Sequence, residues 1–176
     1  MSFIILFALA ISALGFALVR TFAGRTKLSR LSWEDLVGRL QPVCVDGILT
    51  VALDYLQPRK DQLRIETAEM WTLIGEAEGV RRMYANADIL IALAGYAQRW
   101  NPTESVIVAE RMRRDGLTLR RAAIKLSVSV LTSRHTIHGP FNIQEAASSY
   151  YLMRQRLLAL YETSHAGRYP QLASVL

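Results

Sequence analysis

The first patterned stretch of the chain is a run of 17 uncharged residues, Phe3 to Val19, whose least apolar members are Ser12 and Gly15. As a helix it would rise about 1.5 Å per residue and reach roughly 26 Å. That is close to the hydrocarbon thickness of a bilayer, about 30 Å. Thr21, Phe22 and Ala23 can extend the run, with the Arg20 side chain reaching to the headgroups. A cleaved secretory signal would open on a basic segment and close on a small-residue cleavage site. Only Met1 and Ser2 precede the run, and Thr21-Phe22-Ala23 is a poor cleavage site. The pattern predicts an uncleaved transmembrane anchor over residues 1–24.

From residue 32 onward the apolar positions recur at three and four, the spacing of helices with one buried face. Ser32 followed by Asp35 resembles a capping box opening a short helix that ends near Pro42. Val45, Ile48, Leu49, Ala52, Leu53 and Leu56 form the next stripe, stopped by Pro58. Leu63, Thr67, Met70 and Ile74 form another, with Trp71 and Leu73 beside it. Gly75 and Gly79 predict a turn or kink. Val80, Met83, Tyr84, Ala87, Leu90, Ile91 and Ala94 continue, and the apolar tail Ile89–Ala97 is too short to span a bilayer and reads as a buried helix. Asn101-Pro102 ends it, and Thr103 is expected to cap the helix that follows. Asp115-Gly116 is expected to interrupt that helix, which resumes over 117–133. After a break at Gly139-Pro140, Asn142 is expected to cap a final helix. Its stripe is Ile143, Ala146, Ala147, Tyr150, Met153, Leu157, Leu160 and Tyr161, and Gly167 and Pro170 close it. Neither a two-residue alternation nor a repeat of 20 to 50 residues is visible. The prediction is all-α, with an N-terminal single transmembrane helix followed by a multi-helix bundle-like domain.

Charge orients this arrangement. The whole chain has a net charge of +6 and an isoelectric point near 9.8. Arg20, Arg25, Lys27 and Arg30 follow the apolar run with no acid among them. The positive-inside rule then predicts a cytoplasmic C-terminal domain and an N-terminus outside. Residues 25–31 form a basic juxtamembrane connector, and residues 32–176 the cytoplasmic helical domain. From residue 31 on, 17 basic face 15 acidic side chains. The basic excess is therefore mainly a membrane-surface signal, and nucleic acid is disfavoured as a partner.

Candidate chemistry is sparse. The single cysteine, Cys44, excludes an intramolecular disulfide and a multi-cysteine zinc site, and its apolar neighbours Val43 and Val45 predict a buried thiol. His135, His138, Glu162 and His165 are weak metal candidates: a three-residue spacing and one Glu-x-x-His supply only part of a ligand set. Glu66 and Glu69 share a helix face and read as a solvated side. No P-loop, Gly-x-Gly-x-x-Gly or Gly-x-Ser-x-Gly motif is present. Trp33, Trp71 and Trp100 are dispersed, and of Tyr150-Tyr151 one ring is expected in the core and the other near the surface.

The basic stretch is the most informative. Arg113, Arg114, Arg120, Arg121 and Lys125 form a candidate face for an anionic partner. Thr118, Ala122, Ala123, Leu126, Val128, Ser129 and Thr132 resemble a helix-turn-helix signature. Ser127 replaces the usual turn glycine, and Ser133 an apolar residue. The favoured alternative is one amphipathic helix that buries Leu119, Ala123, Leu126 and Val130 and points Arg120, Arg121 and Lys125 outward.

The expected function is a membrane-anchored, non-catalytic adaptor, scaffold or accessory subunit that holds a protein partner at the cytoplasmic membrane face, without a cofactor. Two alternatives remain: an enzyme with a metal site built from the dispersed His and Glu, and a membrane-tethered nucleic-acid binder using residues 117–133.

Overall fold

The computed structural model describes Leu28 and residues 31–57, 64–131 and 139–176. These contain seven α-helices and no strand: α1 Trp33–Val37, α2 Val45–Leu56, α3 Thr67–Leu73, α4 Glu76–Tyr96, α5 Pro102–Leu131, α6 Gly139–Ser164 and α7 Tyr169–Val175, with a 3-10 turn at Ala97–Arg99 after α4. The all-α bundle expected from the periodicity is present. The expected anchor over 1–24 and most of the 25–31 connector lie outside the described residues, as do Pro58 and Leu63. Among the described residues no helix is long and apolar enough to cross a membrane.

Helix α6 is the centre of the bundle, packing on α5, α2, α4, α3 and α7. All eight residues of its expected stripe are buried, from Ile143 to Tyr161. Tyr150 is interior and Tyr151 half-buried, as expected. Helix α4 is likewise enclosed, with Met83, Ala87, Leu90, Leu93 and Ala94 inaccessible to solvent. Tyr84 of the expected stripe faces outward. On α2 the buried set is Gly47, Ile48, Val51 and Ala52, so the true face is rotated toward Val51 and leaves Leu56 exposed.

Two helices open on side-chain caps. Ser32 accepts from the Asp35 backbone N–H at 3.1 Å and donates to the Asp35 carboxylate at 2.8 Å, the predicted cap of α1. Helix α1 stops at Val37, earlier than the expected end near Pro42. For α5 the cap is Asn101, not Thr103. Asn101 Oδ1 accepts from the Glu104 N–H at 3.2 Å, and its amide donates to the Glu104 carboxylate at 2.8 Å. Pro102 then holds the first helical position, where its missing N–H costs nothing. Gly139 and Pro140 are the first turn of α6 rather than a break, so Asn142 lies inside the helix. Gly167 and Pro170 end α6 only to begin α7, with Pro170 in its first turn.

Glycines set the closest approaches. Gly75 turns the chain between α3 and α4 at φ +83°, the left-handed region open to glycine. A Cβ on Gly47 of α2 would overlap the Leu73 carbonyl, and a Cβ on Gly79 of α4 would overlap the Ile74 carbonyl. The end of α3 is thus seated against two bare backbones. Gly116 overturns the expected interruption of α5: the helix runs unbroken through it. A Cβ there would stand 3.2 Å from Ile91 Cδ1 and 3.5 Å from Met153 Cε. The residue therefore marks close packing of α5 against α4 and α6. Burial on both sides offsets the roughly 1 kcal/mol of helix propensity that a glycine forgoes.

Candidate functional site

Helix α5 carries the basic stretch. Its continuity over 30 residues removes the helix-turn-helix geometry. Leu119, Ala122, Ala123 and Leu126 are buried together on one side. At the expected turn, the Ser127 hydroxyl donates to the Ala123 carbonyl at 2.8 Å, a back-bond made within an intact helix. The single amphipathic helix is the arrangement found. Thr132 and Ser133 lie outside the described residues, as does the Val130 side chain.

The five candidate basic residues divide. Arg113, Arg114, Arg121 and Lys125 are exposed. Arg120 is not the outward residue expected. It crosses to Asp88 of α4 in an ion pair, and its guanidinium lies 5.7 Å from the Tyr84 ring centroid. Asp115, one turn earlier, pairs with Arg156 of α6. Arg120 is thereby withdrawn from the basic face that the sequence predicts, and Asp115, expected to help interrupt the helix, joins α5 to α6. Glu110 meets Arg113 at 3.1 Å and Arg114 at 4.0 Å, both solvated pairs within α5. Such pairs contribute about 0–1 kcal/mol and exchange readily.

Arg113 also lines a groove of about 330 Å³ between α4, α5 and the segment before α1. Leu28 and Leu31 wall one side, Ile91 and Ala92 form an apolar floor, and Asp88 and Arg99 complete a charged rim. A second, shallower groove of about 330 Å³ lies between the start of α4 and the end of α5, lined by Val80, Tyr84, Ala123 and Ile124.

The other candidates are separate. Cys44 is exposed at the start of α2, which corrects the expected burial. It is the N-cap residue of the helix, and its Sγ would stand 3.0 Å from a Cβ on Gly47. Glu66, the N-cap residue of α3, and Glu69, in its first turn, are exposed. Glu162 is exposed, and the His165 ring packs edge-on against Trp100 with centroids 4.7 Å apart. His135, His138, Arg20, Arg25, Lys27 and Arg30 lie outside the described residues. Among the described residues no three His, Cys, Asp or Glu side chains cluster as a metal site would need.

Two constellations were not legible in the sequence. Trp33 and Trp100, far apart in the chain, both face Arg168, whose guanidinium lies 4.8 Å and 5.1 Å from their ring centroids and 5.6 Å from that of Tyr96. Glu34 lies 3.5 Å from the same guanidinium. Beneath this cluster Tyr161 donates to the Leu93 carbonyl at 3.0 Å, and burial pushes its phenol well above its ordinary pKa. The second constellation is an amide network. Buried Asn86 of α4 donates to the Tyr150 hydroxyl at 3.1 Å, and Gln144 of α6 donates to Asp54 of α2 at 2.9 Å. Both constellations join elements distant in sequence, so no local spacing announces them.

The chain matches no family model, no curated protein and no solved structure.

Proposed function

We propose that this is a single-pass membrane protein whose helical domain acts as a non-catalytic adaptor, scaffold or accessory subunit, holding a protein partner at the cytoplasmic membrane face. The observation that carries the reading is the uncharged run Phe3–Val19 followed by Arg20, Arg25, Lys27 and Arg30. An apolar run of that length, with basic residues on one flank, is what bilayer insertion and the positive-inside rule require. The domain behind it supports a holding role. Three of its polar pairs join helices: Asp88 to Arg120, Asp115 to Arg156, Gln144 to Asp54. A helical bundle with exposed Arg113, Arg114, Arg121 and Lys125 offers a surface to a partner.

The test is extraction of the full chain from membranes with alkaline carbonate, with a reporter fused at the C-terminus. Retention in the membrane and a cytoplasmic reporter are expected. Release by carbonate, or a reporter on the far side, overturns the anchor. Detergent solubilisation with identification of stoichiometric companions then tests the adaptor role, which predicts at least one membrane-associated protein partner.

A further inference from the structure

We propose that the solvent-facing side of α5 lies against the membrane surface, where Arg113, Arg114, Arg121 and Lys125 bind anionic phospholipid headgroups and Leu117 and Ile124 enter the interfacial region. The proposal deepens the anchored reading above and rests on it.

The first observation is a stripe opposite the buried face of α5. Val106, Glu110, Arg113, Leu117, Arg121 and Ile124 follow one another at steps of three and four, so they share one side of the helix. Val106, Leu117 and Ile124 are 52%, 48% and 57% exposed, large apolar side chains that the bundle does not cover. From Val106 to Ile124 a helix advances roughly 27 Å along its axis.

Charge supplies the second. From Arg111 to Lys125 the exposed ionisable side chains are all basic. The one acid in that stretch, Asp115, is turned to Arg156. Glu110 holds Arg113 and Arg114 only through solvated contacts, which a phosphate can replace. Arginine and lysine interleaved with exposed aliphatic residues are the composition of a helix lying in a headgroup layer. A protein-docking face instead gathers its apolar anchors in a central pocket.

The third is position. Leu28 and Arg113 line the same groove, so the start of the described domain stands beside the basic side of α5. Leu28 stands nine residue steps beyond Val19, the end of the apolar run. Fully extended, nine steps reach at most about 30 Å. An anchored chain therefore keeps this end of the domain close to the bilayer, and Lys and Arg within about 10 Å of an anionic leaflet feel its potential.

The experiment uses the full chain with Cys44→Ser and Ile124→Cys, labelled with a polarity-sensitive dye. It is reconstituted into vesicles of phosphatidylcholine and of phosphatidylcholine with phosphatidylserine. In the anionic vesicles the label should shift to the blue and be quenched at least threefold more strongly by brominated lipid, and salt should reverse both effects. A label at Tyr55→Cys on α2 should stay in water. The combined variant Arg114→Gln, Arg121→Gln, Lys125→Gln, on exposed positions, should abolish the response at 124. A label at 124 that stays in water in both vesicles overturns the proposal, as does one protected only by a co-purified acidic protein. Carbonate washing of the same vesicles separates the two readings: a retained chain with a water-exposed label sinks the α5 contact alone, and a released chain sinks the anchor.

Discussion

Asn86 supplies both hydrogen-bond partners to the backbone of Gln41. Its Oδ1 accepts from the Gln41 N–H at 2.9 Å, and its Nδ2 donates to the Gln41 carbonyl at 2.8 Å. The same amide reaches the Tyr150 hydroxyl, so one buried side chain on α4 ties the segment before α2 to the centre of α6. Truncation leaves a backbone donor and an acceptor without these partners and opens a small cavity. Asn86→Ala should destabilise the domain by about 2–4 kcal/mol, read from urea unfolding, because unsatisfied buried groups cost more than a hydrogen bond contributes. Tyr150→Phe should cost about 1 kcal/mol, since Asn86 keeps its two bonds to Gln41.

Three glycines of ordinary appearance should respond in opposite ways. Gly79→Ala and Gly47→Ala each drive a Cβ into a main-chain carbonyl that no rotamer change can relieve. Each should cost upwards of about 3 kcal/mol or prevent folding. Gly95 lies in α4 with nothing near its added Cβ. Gly95→Ala should raise stability by about 0.5–1 kcal/mol, and a thermal melt of the three variants orders them.

Arg168 is held between indole and phenol rings at the entry to α7, with Glu34 beside it. Arg168→Ala should lower stability by about 1–2 kcal/mol and change the near-ultraviolet circular dichroism of Trp33 and Trp100. Arg168→Lys should recover less than half of the loss, because an ammonium cannot stack its plane on the rings. Faster proteolysis around α7 in the alanine variant is the accompanying sign.

Glu78 should contribute to the pH dependence of stability. Its carboxylate accepts from Arg81 at 2.7 Å and Arg82 at 2.9 Å, and these hydrogen bonds hold its pKa at about 2, below the ordinary 4.5. The folded state therefore binds this proton less readily than the unfolded chain. The stabilisation is present above pH 4.5 and disappears as pH falls toward 2. Glu78→Gln should flatten the part of the acid-unfolding curve between those values. The effect should shrink at high salt, because the groups are solvent-exposed. An unchanged slope in the variant would remove Glu78 as its source.

Helical periodicity carried the sequence a long way. Burial of an amphipathic helix repeats at 3.6 residues, so the stripe from Ile143 to Tyr161 and the closed α4 are written in local order. The cap at Ser32 is equally local, a side chain answering an N–H three residues on. The unbroken run Phe3–Val19 and its basic flank belong to the sequence alone. Tertiary structure decided what depends on neighbours distant in the chain. Gly116 reads as a breaker until Ile91 and Met153 close over it. Arg120 reads as surface charge until Asp88 meets it, and Asp115 as a helix interruption until Arg156 pairs with it. Cys44 reads as buried from its apolar neighbours, yet at the N-cap of α2 it is exposed. The exposed stripe from Val106 to Ile124 appears only once α5 is known to be one continuous element. A spacing rule fixes which residues share a face; which face meets the core, and which charges find partners, depends on how the helices pack.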